Sequence, residues 1–308
     1  MNAGDPEFGS VAAAGETVLL RHRAGILLAG VVLSLGGLLI RMIETATPWQ
    51  ILFYRSGFLA IFLALYLVWR ERDRLIQYLA ATSGAALLGG VCIGSAMTGF
   101  IYSVTHTTVA NTLFILAASP FVAAALGWFA LRERVHARTW LTMLAAALGI
   151  GVMVYDGIGD GHLVGLLAAL GATFGFAGLT VILRWKRQAD LIAAVLYGAI
   201  LSSLVGAIVT LPEGFTVPLA DVGWCVLYGG PVLVLGFILL THGGRFVPAA
   251  EVTLLSLSEV ALGPVWVWLV VDETPSRASL IGGTLVLAAV VAQVLLGGRQ
   301  RHPPIPLD

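Results

Sequence analysis

Glu259 is the residue whose type and setting carry the most chemistry. It stands in an apolar run, 247–271, about 18 Å from its start at the rise of a helix. A carboxylate at that depth in a bilayer costs roughly 2.5–3.5 kcal/mol on insertion scales, so it must face water, find a partner or hold a proton. It can bind a substrate ammonium or carry a proton; the alternative is a protonated Glu bonded to a neighbouring helix. Ser256, Gly263 and Trp266 lie at i−3, i+4 and i+7 and share its face. Glu251 lies about 6 Å into the same run. Arg55, seventh in the run 49–69, can meet a substrate carboxylate or Glu44, or snorkel to the interface. Arg41 is a weaker candidate of the same kind.

Other side chains suit a different task. Tyr102, Phe174, Phe176 and Tyr228 lie deeper in apolar runs and could stack on an aromatic or apolar solute, or simply pack. The eight Trp fall near the ends of runs, as an interface belt would. Pro120, Pro231 and Pro264 remove backbone hydrogen bonds inside runs, which in membranes often marks a cavity wall. Gly229-Gly230-Pro231 places three flexible or breaking residues together. These five residues are the expected hinges.

Some chemistries are missing. The six His (His22, His106, His136, His162, His242, His302) have no metal-ligand spacing, and there is no Walker-type loop and no nucleophile elbow. No metal, cofactor, nucleic acid or obligatory protein partner is expected. Cys92 and Cys225 read as reduced packing residues.

The elements that must position these groups follow from composition. The chain has 308 residues, 58% hydrophobic and only 11% charged, with a formal net charge of zero and a mean hydropathy of +0.94. A soluble domain carries about a quarter charged residues, so the water-soluble class and disorder are both excluded. Ten runs are long enough to span a bilayer: 24–43, 49–69, 80–104, 107–130, 138–156, 161–183, 189–210, 221–241, 247–271 and 276–296. All but Arg41, Arg55 and Arg277 of the 17 Lys and Arg residues fall at one side, and Glu44, Asp156, Asp160, Glu213, Asp221, Asp272 and Glu273 at the other. The positive-inside rule puts both termini in the cytoplasm, with the chain in the inner (plasma) membrane.

The chain matches itself at a shift of 140 residues. Gly25, Leu27 and Ala29 meet Gly165, Leu167 and Ala169; Leu87, Gly89 and Gly90 meet Leu227, Gly229 and Gly230; Ala110, Trp128 and Glu133 meet Ala250, Trp268 and Glu273. The charges invert with the shift: the stretch that holds Arg70, Arg72 and Arg74 falls opposite the one that holds Leu-Pro-Glu at 211–213, and Arg184 meets Glu44. Five spans is odd, so the second unit enters from the other side. The expected fold is all-α and integral to the membrane, ten transmembrane helices as two five-helix inverted-topology repeats. Residues 1–20 are a tail whose first ten residues resemble a cloning scar, 21–156 the first repeat, 161–298 the second, and 299–308 a cytoplasmic tail. Glu251 and its repeat mate Asn111 then sit near opposite mouths and could act as gates.

The span ends carry a resemblance. Ala-Ser-Pro-Phe-Val at 118–122 leads to Leu-Arg-Glu-Arg at 131–134 and the Gly149/Gly151 helix. Glu251 to Pro264 leads to Val-Asp-Glu-Thr-Pro at 271–275 and Gly282/Gly283. In these the chain resembles the ten-helix EamA-type branch of the drug/metabolite transporter superfamily across nearly all of 24–296. Where that pattern often has a second-half Pro, this chain has Val260 after Glu259. The resemblance implies a secondary transporter of the amino acid and aromatic amino acid exporter kind, working by alternating access on a small amino acid-like metabolite. Other branches carry phosphorylated sugars, and the few intramembrane cations here disfavour them. Proton coupling through Glu259 is one expectation and uncoupled facilitation its rival. A drug, sugar or nucleoside carrier, a channel and a membrane enzyme are the remaining alternatives.

Overall fold

A computed structural model describes residues 6–132, 135–159, 161–185 and 190–297. Of the charge pattern, Glu133, Arg134, Asp160, Lys186, Arg187, Arg299 and Arg301 lie outside the described residues, as do residues 1–5 and the tail 299–308. The described residues form helices joined by short turns, with no strand. In lipid this is forced, because a helix satisfies its own backbone polar groups and an open sheet does not.

The helices are α1 (Pro6–Arg41), α2 (Pro48–Glu71), α3 (Leu75–His106), α4 (Val109–Leu116), α5 (Ser119–Leu131), α6 (Ala137–Gly159), α7 (Leu163–Trp185), α8 (Leu191–Thr210), α9 (Leu219–Leu227), α10 (Leu233–Gly243), α11 (Ala249–Val271) and α12 (Arg277–Gly297). They supply ten stretches long and apolar enough to cross a membrane, at the expected positions. Two spans are broken near their middles. The fourth is α4 and α5 around a turn at 117–118, and the eighth is α9 and α10 around a π-turn, Tyr228–Val232. The helix begins earlier than the expected tail allows. Residues 6–20 continue α1 backwards, in keeping with the helix-forming alanines at 12–14.

Local chemistry sets the ends. Thr47 caps α2 in a capping box with Gln50, and Pro48 occupies the first turn. Thr108 caps α4 and Asp190 caps α8. α5 and α11 both stop at a left-handed residue, Arg132 and Asp272 (φ 55° and 54°). Those two positions are partners under the shift of 140.

Small residues let the helices close. Gly175 of α7 lies against the Cys92 carbonyl and Ala96 of α3, and Gly198 of α8 against Gly90 and Gly94 of α3. Gly149 of α6 meets Gly282 of α12 backbone to backbone. Without a hydrophobic force between helices in lipid, such close van der Waals packing holds them together. The pairings also repeat. α3 packs on α7 as α10 packs on α1; α1 packs on α11 as α7 packs on α5; α3 packs on α8 as the π-turn packs on α2. α2 with α8, α6 with α12 and α4 with α11 are their own counterparts. The chain is thus a ten-helix, two-repeat membrane fold.

Candidate substrate cavity

α2 turns one stripe inward: Leu52, Arg55, Ser56, Leu59, Leu63 and Leu67 are all buried. Arg55 lies on that stripe and is only 2% exposed. The expected alternatives of snorkelling and of pairing with Glu44 are both overturned, because the buried face of α2 points at the π-turn and not at either interface. The guanidinium sits over the Tyr228 ring, 5.2 Å from its centroid, and Nη2 donates to Ser56 Oγ at 3.3 Å. Nε has no hydrogen-bond partner. Among the described residues no carboxylate pairs with this guanidinium.

Tyr228 opens the π-turn, which holds Gly229, Gly230 and Pro231. Pro231 has no N–H to donate and its ring displaces the preceding carbonyl, so regular α-helix is interrupted there. Such π-bulges recur at functional sites. Gly229 is required by contact: a Cβ there would overlap the Arg55 carbonyl. The missing side chain lets α2 and the π-turn touch backbone to backbone and brings Tyr228 under Arg55. The Tyr228 hydroxyl in turn abuts Gly36 of α1.

Glu259 comes from the middle of α11 and faces the same space. A cavity of about 130 Å³ is lined by Arg55, Tyr228 and Glu259, with Met97, Phe100, Phe176, Phe237 and four leucines as apolar wall. A second, of about 340 Å³, is lined by Ser119, Pro120, Thr180, Thr253, Ser256 and Glu259 among apolar residues. Leu116, Phe176 and Glu259 belong to both. Glu259 therefore stands where the two meet. Together they fall within the roughly 300–1,000 Å³ typical of small-molecule sites. The larger one follows α11 from Glu259 back through Ser256 to Val252, towards the face that carries both chain ends.

The opposite face is closed by polar contacts. Arg41 Nε donates to Glu273 Oε2 at 2.6 Å, and its Nη2 to the Thr107 carbonyl at 2.7 Å. The Val109 N–H donates to the other Glu273 oxygen at 2.7 Å. Asn111 donates to Thr107 Oγ1 at 3.1 Å and accepts from Ser279 Oγ at 2.5 Å. Buried Asp221 accepts from the N–H groups of Glu44, Thr45 and Ala46 and from the Thr45 hydroxyl (3.3, 3.0, 3.1 and 2.6 Å). At the terminal face Glu251 instead pairs with Arg23 through two bonds, 2.7 and 2.9 Å, and both side chains are 38% exposed.

The other expected residues divide. Ser256, Phe176, Tyr228 and Pro120 line the cavities. Trp266 does not, since its Nε1 donates to Ser34 Oγ at 2.9 Å and ties α11 to α1. Tyr102 stacks on His106 (4.0 Å) beside Trp49, at the closed face and outside both cavities. Phe174 is 54% exposed and lines a separate apolar groove beside α5 and α6. Two residues on a helix point about 200° apart, so Phe174 and Phe176 could not both face in. Pro264 lies within an unbroken α11 and marks no break. The Arg41–Glu273 contact and the role of Asp221 were not foreseen, though Glu273 sits in the acidic motif that carried the resemblance. Among the described residues no cluster of His, Cys, Asp or Glu could hold a metal.

Known proteins share this architecture. The pattern of the EamA-like transporter family matches twice, over residues 24–155 and 163–295. The pseudopaline exporter CntI of Pseudomonas aeruginosa is 26% identical over 249 residues, 79% of this chain and 84% of that protein. The uncharacterized transporter YwfM of Bacillus subtilis is 25% identical over 262 residues, 80% and 84% of the two chains. A protein of known crystal structure shares the fold at a TM-score of 0.60 and 14% identity, covering 91% of this chain and 99% of its own. With both halves matched and the cavity built between them, the chain belongs to the EamA-like transporter family of the drug/metabolite transporter superfamily.

Proposed function

We propose that the protein is a secondary carrier that exports small amine-bearing metabolites, amino acids including aromatic ones among them, across the inner membrane by alternating access. The observation that carries this reading is Glu259. Its carboxyl stands at the junction of two cavities, and no hydrogen bond or ion pair from a described residue engages it. The larger cavity runs along α11 towards the side that carries the chain ends, while the other side carries the Arg41–Glu273 and Asp221 contacts. That is the arrangement of a carrier open towards one compartment. CntI is an exporter by name, which favours outward movement.

The reciprocal helix pairings support two five-helix units of inverted topology. Exchanging the conformations of such units converts one open cavity into the other. The broken fourth and eighth spans supply places where half-helices can tilt. The gates are then Asn111 with Arg41 and Glu273 at one mouth, and Glu251 with Arg23 at the other. Both termini are cytoplasmic on this reading.

The test is counterflow of labelled amino acids in liposomes, with and without a pH gradient, for wild type and Glu259→Gln. Saturable counterflow that the gradient accelerates, with the acceleration lost in Glu259→Gln, is expected. Counterflow indifferent to pH and to the substitution would leave an uncoupled facilitator. Failure of every amine in the panel would turn the search to sugars, nucleosides and drugs.

A further inference from the structure

Arg55 raises a question that a single substrate amine does not answer. A guanidinium 2% exposed at membrane depth is expensive unless a counter-charge or a full set of hydrogen bonds accompanies it. Here it has neither. It sits over the Tyr228 ring, and its geometrically well-formed side-chain hydrogen bond is to Ser56 Oγ, at 3.3 Å. Nε is buried and unpartnered. Glu259 lines the same cavity yet makes no ion pair with it. The rest of that wall is apolar side chain, and the Met97 thioether is its weak acceptor.

We infer that Arg55, seated over Tyr228, is a carboxylate subsite, so that the transported solute is a zwitterion held with its carboxylate at Arg55 and its ammonium at Glu259. This rests on the carrier reading and narrows it. The guanidinium fork matches a carboxylate through two parallel N–H bonds, and Nε is one of the donors such a pair uses. The Tyr228 ring covers one face of the fork and steers the anion to its edge. Phe100, Phe176 and Phe237 then surround an apolar or aromatic side chain. The bound anion also touches a side chain seated on Tyr228 of the π-turn, so occupancy and hinge meet at Arg55.

The probes are phenylalanine, phenethylamine and 3-phenylpropionate, which carry both charges, only the ammonium and only the carboxylate. Leucine, 3-methylbutylamine and 4-methylpentanoate form a second set. Each is measured twice on the full-length protein: as a shift in unfolding temperature in detergent, and as a competitor of counterflow in liposomes. In wild type at least one amino acid should be held about tenfold or more tighter than its amine, the worth of one charge-assisted pair. Arg55→Gln should erase that preference and abolish protection by the carboxylates, while protection by the amines survives. Arg55→Lys, which keeps the charge but loses the fork, should recover only part of it.

Amines and amino acids of equal strength in wild type would overturn the inference, and so would Arg55→Gln weakening both alike. Absence of protection by any carboxylate in either set would overturn it as well. The carrier reading fails in a different way. Protection that depends on Arg55 without counterflow would remove transport and keep the subsite. Counterflow of amines with no carboxylate dependence would do the reverse.

Discussion

Gly229 and Gly230 are adjacent in the π-turn, and the structure assigns them opposite tolerance. Neither has a positive φ, so backbone conformation does not separate them and only space does. A Cβ on Gly229 would overlap the Arg55 carbonyl oxygen and come within 3.0 and 3.2 Å of the Arg55 carbonyl carbon and Cα. All three are backbone atoms of a membrane helix and cannot swing aside. Gly229→Ala must push α2 from the π-turn, at the upper end of the roughly 1–3 kcal/mol of overpacking. A Cβ on Gly230 would meet the Phe62 ring at 3.1–3.2 Å. Phe62 is 37% exposed and can turn toward lipid. Removing a helical glycine also returns about 0.5–1 kcal/mol, so Gly230→Ala should be close to neutral. At roughly 2–4 °C per kcal/mol, Gly229→Ala should lower the unfolding temperature in detergent by about 4 °C or more, with Gly230→Ala near wild type. Tryptophan fluorescence on purified protein reads this, and counterflow should fall with Gly229→Ala because Arg55 is displaced. Equal shifts, or a stable Gly229→Ala beside a damaged Gly230→Ala, would refute the claimed backbone contact.

Three further outcomes follow from the geometry. Asp221→Ala should cost about 2–4 kcal/mol, since it strips an acceptor from three N–H groups and a hydroxyl; thermal unfolding close to wild type would show that water replaces it. The Arg41–Glu273 pair, with side chains 26% and 19% exposed, should give a double-mutant coupling above 1 kcal/mol, about what exposed pairs rarely exceed. The more exposed Arg23–Glu251 pair should couple by less than about 1 kcal/mol and fade in salt, and the reverse order would contradict the picture of a tighter seal at the closed face. Phe176→Ala opens the wall common to both cavities and should weaken competition by aromatic solutes, whereas Phe174→Ala, at the lipid side, should leave counterflow unchanged; equal losses would place both rings in the cavity.

Sequence legibility followed from which quantities are local. Span length, the flanking charges and the shift of 140 are sums over contiguous residues, so ten helices and two matching halves could be read without a fold. Glu259 stood out because a carboxylate within an apolar run is unfavourable wherever the run goes. Pro231 beside two glycines likewise marked a break, and the π-turn is there. Arg55 was ambiguous for a local reason: α2 is apolar all round, so no polar stripe showed which face is buried. Its burial, its seat over Tyr228 and its lack of a carboxylate arise because Gly229 admits the backbone of α2, and residues 55 and 229 meet only in the folded chain. The same holds for Arg41 with Glu273 and for Asp221 with the loop at 44–46, contacts across more than half the sequence. Pro264 shows the converse, since a residue able to break a helix leaves α11 unbroken in its packed setting. The sequence by itself determined the membrane as solvent, the number of crossings and the carboxyl that must find water or a partner. Tertiary packing alone decided which side chains share a cavity with it, because in a bundle of uniformly apolar helices only close approach at small residues selects the faces that meet.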